Sequence, residues 1–237
     1  MKITLVPILN DNYSYLLEAG GEVAIVDPGE PAPIEYILEE RNLRPSFILN
    51  THHHADHIAG NKYFQKKYGA KVVAPKREQK RIPDIDIGIS DGDTLTLGDE
   101  QISVLETPGH TTGHVCFYAS KNGALFCGDT LFSMGCGRLF EGTPEEMWAS
   151  LQKIAALPDH TQIYCAHEYT EKNGNFCLAI EPNNPDLIKR MNAVRKLRAN
   201  GKPTIPATLE TEKKTNVFLR SGKAAAFAQL RRLRDSF

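Results

Sequence analysis

Thr51-His52-His53-His54-Ala55-Asp56-His57 follows directly on Ser46-Phe47-Ile48-Leu49-Asn50, and these two stretches decide how the chain is read. The second is a short apolar run that predicts a buried strand ending at a loop. The first places four histidines and one aspartate in the six positions after Thr51. Solvated loops rarely concentrate imidazole in this way. Residues two apart point to nearly opposite sides of a helix but share a face in extended chain. His52 and His54 can therefore grip one ion only if the backbone stays extended into the loop. Asp56 and His57 are neighbours, so their side chains are expected to diverge, though a turn there could aim both at a second ion. Neutral imidazole with carboxylate suits zinc, iron or manganese.

The remaining composition sets bounds. The chain has 237 residues, 41% of them hydrophobic and 24% charged, with a formal net charge of -1. That length fits one large domain or a domain with an appendix. A near-neutral chain has no long-range attraction for nucleic acid or anionic lipid. No apolar run approaches the roughly 20 residues that span a bilayer. Met1-Lys2-Ile3-Thr4-Leu5-Val6-Pro7 carries one positive charge and an early proline, and reads as a first strand rather than a signal peptide. The five cysteines (Cys116, Cys127, Cys136, Cys165 and Cys177) include no Cys-x-x-Cys pair. They predict a reducing, cytoplasmic setting, with metal ligation left to histidine and carboxylate.

The front of the chain is rich in strands, over 3–9, 13–18, 23–27, 71–74, 94–97, 101–106, 115–119, 124–127 and 162–165. Asn122-Gly123 supplies a hairpin signal. Helices are expected over 33–40, 61–68 and 144–157, while 76–90 is polar and carries no assignment. From about Tyr169 onward no strand is expected. Asn184 is placed to cap a helix with Pro185 at its first position. Leu187, Ile188, Met191, Val194 and Leu197 continue it at helical spacing up to Gly201. Residues 202–216 read as a loop and 224–234 as a last helix. The expected organisation is α/β, with a catalytic domain over 1–168 and a helical domain over 169–237.

The other polar clusters fall where strands end, which is where a sheet scaffold assembles sites. His110 follows one strand, Asp129 another and His167 a third. The donor count then gives His52, His54 and His110 for one ion, and Asp56, His57 and His167 for a second. Asp129 has two carboxylate oxygens and is suited to bridge the ions. His53 is expected to point away from the pair, His114 to support it from behind, and His160 to lie in an exposed loop.

With these residues in place, the chain resembles the metallo-β-lactamase superfamily through Thr51-His52-x-His54-x-Asp56-His57, His110, Asp129 and His167. Within it the resemblance is to the hydroxyacylglutathione hydrolase (glyoxalase II) family. Thr107-Pro108-Gly109-His110-Thr111, Cys127-Gly128-Asp129-Thr130-Leu131-Phe132, Gly135-Cys136-Gly137-Arg138 and Tyr164-Cys165-Ala166-His167-Glu168-Tyr169-Thr170 carry that narrower match, and Arg231-Arg232-Leu233-Arg234-Asp235 extends it into the tail.

This resemblance implies an αββα sandwich with two divalent metal ions, zinc first and iron or manganese as alternatives. It also implies a small C-terminal helical domain that binds glutathione. The implied reaction is hydrolysis of S-D-lactoylglutathione to D-lactate and glutathione by a cytoplasmic monomer, with Asp56 and Asp129 as catalytic residues. Arg138, Phe140, Tyr169, Arg231 and Arg234 fall on its glutathione-binding positions. Arg138 and Arg234 stand where lysine is common, and Phe140 where tyrosine is common, so a hydroxyl is lost there. On spacing alone, Arg231 and Arg234 fit a solvated helix face; the resemblance is what assigns them to substrate.

Three other readings compete. A mononuclear iron persulfide dioxygenase shares the front motifs, but the basic helical tail argues against it. A nuclease would call for a basic patch that the charge does not supply. A structural zinc site closes its coordination with four protein ligands, whereas seven donors serving two ions leave room for solvent.

Overall fold

A computed structural model describes residues 1–237 and divides them into two compact units, Met1–Glu106 with Gly113–Gly128, and Thr107–Thr112 with Asp129–Phe237. No helix is long and apolar enough to cross a membrane.

The first unit holds two sheets. One is six-stranded, ordered β1 (Lys2–Ile8), β2 (Asn12–Ala19), β3 (Glu22–Val26), β4 (Phe47–Leu49), β5 (Lys71–Pro75) and β6 (Ile87–Ile89). The first three pair antiparallel; β3 to β6 run parallel. Parallel strands are covered on both faces and so read as continuous apolar runs. Ile48, Leu49, Val72 and Val73 are accordingly all fully buried. The outer face of this sheet packs on α1 (Pro31–Glu40) and α3 (Asn61–Tyr68) through Ile34, Leu38 and Phe64, which join Leu16, Ile25, Ile48 and Val72 in one core. Each such side chain contributes roughly 1.5–3 kcal/mol by leaving water. Gly69 ends α3 at φ 72°, a left-handed position that glycine adopts without a Cβ clash.

The other sheet of this unit is an antiparallel meander of β7 (Thr94–Leu97), β8 (Glu100–Glu106), β9 (Val115–Ala119) and β10 (Ala124–Gly128). Tyr15 from the first sheet meets Phe126 from the second, ring centroids 5.5 Å apart, so the sheets face one another. The four-residue α2 (Ala55–Ile58) lies in the loop after β4. The Asn122-Gly123 signal marks a real reversal, but a 3-10 turn over Ser120–Asn122 lengthens it, and Gly123 closes that turn at φ 59°.

The second unit opens with the hairpin β11 (Leu131–Phe132) and β12 (Gly135–Cys136), followed by α4 (Pro144–Ala155), β13 (Gln162–Cys165), α5 (Thr170–Ile180), α6 (Pro185–Ala199), β14 (Ala207–Thr208), α7 (Leu209–Thr215) and α8 (Ala224–Ser236). Caps readable in the sequence set its helix starts. Thr143 and Glu146 form a reciprocal capping box on α4, and Asn184 Oδ1 accepts from the amides of Asp186 and Leu187 on α6. Inside it Phe176 stacks on Phe218 with centroids 5.8 Å apart, and Phe227 meets Phe218 edge-on at 5.9 Å.

Three expectations for the tail are corrected. Residues 170–180 form a helix that carried no assignment, because Asn173-Gly174-Asn175 sits in its middle. Gly174 is there for packing: a Cβ would come within 2.0 Å of Met191 Sδ on α6. Residues 209–215, expected as loop, form α7; its charged appearance hides Glu212, which is fully buried, paired with Arg190 and accepting from Met134 N at 2.9 Å. A strand also appears where none was expected, since Ala207 and Thr208 pair with Ile163 and Gln162. Two residues are too few to show a period.

Candidate active site

β3 and β4 are parallel neighbours, so they end at the same edge of the sheet, the usual place for a ligand site in such sheets. At the end of β3, Asp27 takes the uncommon φ of 48° and is buried. At the end of β4 the chain runs through Asn50 and Thr51 into the histidine loop. Asp27 accepts from Thr51 N at 2.8 Å, from Thr51 Oγ1 at 2.7 Å, and from His57 Nδ1 at 3.0 Å. One carboxylate thus holds both ends of the loop.

The backbone at His54 is extended (φ -61°, ψ 145°), as gripping one ion with His52 requires. His52 Nε2 lies 3.0 Å from His54 Nδ1. Asp56 and His57 are neighbours whose side chains converge only through a turn, and the single turn of α2 supplies it, bringing Asp56 Oδ2 to 3.6 Å from His57 Nε2. Asn12 Nδ2 donates to Asp56 Oδ2 at 2.8 Å and aims it. His114 is fully buried and stacks on His52 at 4.9 Å, supporting it from behind. His53 turns to the buried Glu78, with Nδ1 3.1 Å from its Oε2. His160 is exposed.

The second unit groups the other three ligand candidates. His110 Nε2 lies 3.3 Å from Asp129 Oδ2, and His167 Nε2 lies 3.5 Å from Asp129 Oδ1, so each carboxylate oxygen faces a different imidazole. All three side chains are buried. His167 is stacked on Tyr169 at 4.6 Å and 5°, against the edge of Phe132. Gly137 packs under the carboxylate's backbone, where a Cβ would sit 1.9 Å from the Asp129 carbonyl oxygen.

The hydrogen-bond network sets the tautomers. His57 Nδ1 faces a carboxylate and His110 Nδ1 faces the Arg138 carbonyl at 2.8 Å, so both must donate. Thr51 Oγ1 spends its proton on Asp27, so it accepts from His52 Nδ1 at 3.0 Å. In each of the three rings Nε2 is then left with its lone pair, the form that ligates a cation. In His57 and His110 that lone pair points toward a carboxylate oxygen, which a cation between them makes favourable. Four-coordinate zinc with bonds of roughly 2.0–2.1 Å separates its ligand atoms by about 3.3 Å. The observed 3.0, 3.3, 3.5 and 3.6 Å separations match such an edge. The residues present fit divalent metal.

A cavity of about 280 Å³ in the second unit is lined by His110 and Asp129 at one part of its wall, and by Arg138, Tyr169, Arg231 and Arg234 elsewhere. Phe132, Cys136, Phe140 and Asn173 complete it. Arg231 is buried, with its guanidinium 5.3 Å over the Phe218 ring and Nη1 donating to the Cys136 carbonyl at 2.9 Å. Arg231 and Arg234 therefore occupy a cavity wall, not the solvated face that spacing alone suggested. Phe140 is 60% exposed beside His110 and Arg138. Larger clefts exist, such as one of about 510 Å³ around Pro182, Asn184 and Arg220, but they bring no ligand set together.

The thiols are unsuited to nucleophilic or ligand roles. All five are free and buried. Burial raises Cys136 despite Arg231 beside it, and pushes Cys165 and Cys177 up to about 12.

The sequence reading gave no role to Asp27, Asn12 or Asn173, nor to Asp235, which it quoted only as part of the tail motif. Asp27 had a usable signal: Asp27-Pro28-Gly29 breaks abruptly from the apolar run over 23–26. Asp27→Asn is expected to weaken metal binding about 10–100-fold, the usual effect of losing the group that orients a ligating histidine. Competition against a chelator measures this, and unchanged affinity would show that Asp27 serves only the fold.

The metallo-β-lactamase superfamily matches residues 9–167, and the hydroxyacylglutathione hydrolase C-terminus matches residues 168–237. A hydroxyacylglutathione hydrolase of Pelagibacter ubique is 45% identical over 239 residues, covering 100% of both chains. One of Maricaulis maris is 47% identical over 247 residues, covering 98% of this chain and 96% of its own. Among solved structures, the B3 metallo-β-lactamase BLEG-1 is similar at a TM-score of 0.72 and 25% identity, over 92% of this chain and 99% of its own.

Proposed function

Since the chain belongs to the hydroxyacylglutathione hydrolase family of the metallo-β-lactamase superfamily, with its αββα sandwich and C-terminal helical region, we propose that it hydrolyses S-D-lactoylglutathione and related 2-hydroxyacyl glutathione thioesters to glutathione and the free hydroxy acid. One observation carries this reading. Two groups suited to metal, His110 and Asp129, share a cavity with three arginines, so a reacting end and an anion-binding end face the same space.

His52, His54 and His110 would hold one divalent ion, and Asp56, His57 and His167 a second, with Asp129 offering one oxygen to each. Zinc fits this donor set first; iron and manganese fit the same donors. When bound, the ions supply Lewis acidity and a water whose pKa falls from 15.7 to about 7. Asp129 and Asp56 accept hydrogen bonds from the attacking water and orient it toward the thioester carbonyl. Arg138, Arg231 and Arg234 hold the carboxylates of glutathione, and Tyr169 and Phe140 flank it. The glutathione thiolate is a good enough leaving group to depart without a general acid. Residues 1–168 would form the catalytic domain and 169–237 the glutathione-binding domain. The free thiols suit the cytoplasm.

Zinc-loaded and chelator-stripped protein should be compared on a panel of glutathione and coenzyme A thioesters. Hydrolysis confined to the glutathione thioesters, lost on stripping and restored by metal, is the expected result. Oxygen uptake with glutathione persulfide in place of hydrolysis would give the site to the dioxygenase chemistry.

A further inference from the structure

Two of the arginines that line the cavity are paired with an acid. Arg231 Nη2 donates to Asp235 Oδ1 at 2.9 Å, and Arg138 Nε lies 3.4 Å from the same oxygen. One carboxylate oxygen therefore accepts from Arg231 and stands within ion-pair distance of Arg138, two of the three arginines lining the cavity. Two arginines also have neutral anchors. Arg231 Nη1 rests on the Cys136 carbonyl at 2.9 Å, and Arg234 Nη2 on Asn173 Oδ1 at 3.3 Å. Their placement does not rest on Asp235 alone.

Asp235 also stands at the wrong end of its helix. It lies in the last turn of α8, where the negative end of the macrodipole disfavours an anion. The arginines, not the helix, account for an acid there. Its side chain is 39% exposed, so it can turn into water when another anion arrives.

We propose that Asp235 is a resident counter-carboxylate that competes with the incoming substrate carboxylate for Arg138 and Arg231, and so sets the affinity and anion selectivity of the cavity. The inference rests on the glutathione reading above. A guanidinium presents a fixed set of N–H donors. Those held by Asp235 are open to substrate only after it yields them. With Asp235 in place, a lone small anion gains little by displacing it, whereas a tripeptide that also reaches the metal end gains more.

Asp235→Asn is expected to lower KM for S-D-lactoylglutathione about threefold, the scale of a partly exposed ion pair, and to steepen the rise of KM with salt. A substrate whose glycyl carboxylate is converted to an amide should show the same KM with both proteins. Asp235→Ala should move KM the same way and guards against a packing effect of the asparagine. A residue serving only to brace the arginines would raise KM and lower the melting temperature. Calorimetry with S-hexylglutathione separates the two levels of the argument. If the wild-type chain fails to bind it, the glutathione reading falls and this inference with it. If the wild type binds and neither variant binds more tightly, the competition alone is refuted.

Discussion

Asp129→Ala is expected to remove metal and turnover together, with activity falling by more than the roughly 10–100-fold that follows loss of a group merely supporting a ligand. The reason is its two-sided placement. One oxygen faces His110 and the other His167, at 3.3 and 3.5 Å. A terminal ligand would lose its contacts to one ion. A bridging carboxylate is also the shared anion that offsets repulsion between two cations, so its removal weakens both. Metal content per chain should fall below two, with hydrolysis falling in parallel. Asp129→Asn sharpens the test, since it keeps the shape and removes the charge. Full binuclear loading with normal turnover in either variant would show that Asp129 only caps the turn after β10.

The readable and unreadable parts of this molecule divide along a physical line. Coordination chemistry fixes residue type, so His52, His54, Asp56 and His57 stand out in any context. His110, Asp129 and His167 were proposed as further ligands by asking which polar groups follow apolar strands. Asp27 acts only because β3 and β4 are parallel neighbours, a relation that no window of sequence contains. Asn12 on Asp56 depends likewise on β2 and the histidine loop coming together. The tail was harder. Gly174 and Asn173 weaken the helical pattern of α5, yet both are used, one for the approach of Met191 and the other to hold Arg234. Tertiary packing there overrides local propensity. Arg231 and Arg234 were assigned to substrate through family resemblance, since two arginines three apart on a terminal helix say nothing by themselves about burial.

Removing both of those arginines carries the other large effect. Arg231→Ala with Arg234→Ala is expected to raise KM for a glutathione thioester about a hundredfold. Each charge-assisted hydrogen bond contributes roughly 1.5–3 kcal/mol, and every 1.4 kcal/mol is a factor of ten. Burial draws the Arg234 pKa down, with Arg231 beside it adding to the effect, but a guanidinium keeps its proton in proteins, so both cations are present throughout the working range. Arg231 has a second duty. It donates to the Cys136 carbonyl and covers the Phe218 ring, so its loss also costs packing. Arg234→Ala alone separates the two contributions, because Arg234 is only half-buried and its partner Asn173 also donates to the Ser133 carbonyl. It should raise KM about tenfold with the melting temperature little changed. Binding energy realised equally in ground and transition states appears in KM and not in kcat. A fall in kcat at constant KM would therefore mean that the tail steers the reacting carbonyl instead of anchoring the far end of the substrate.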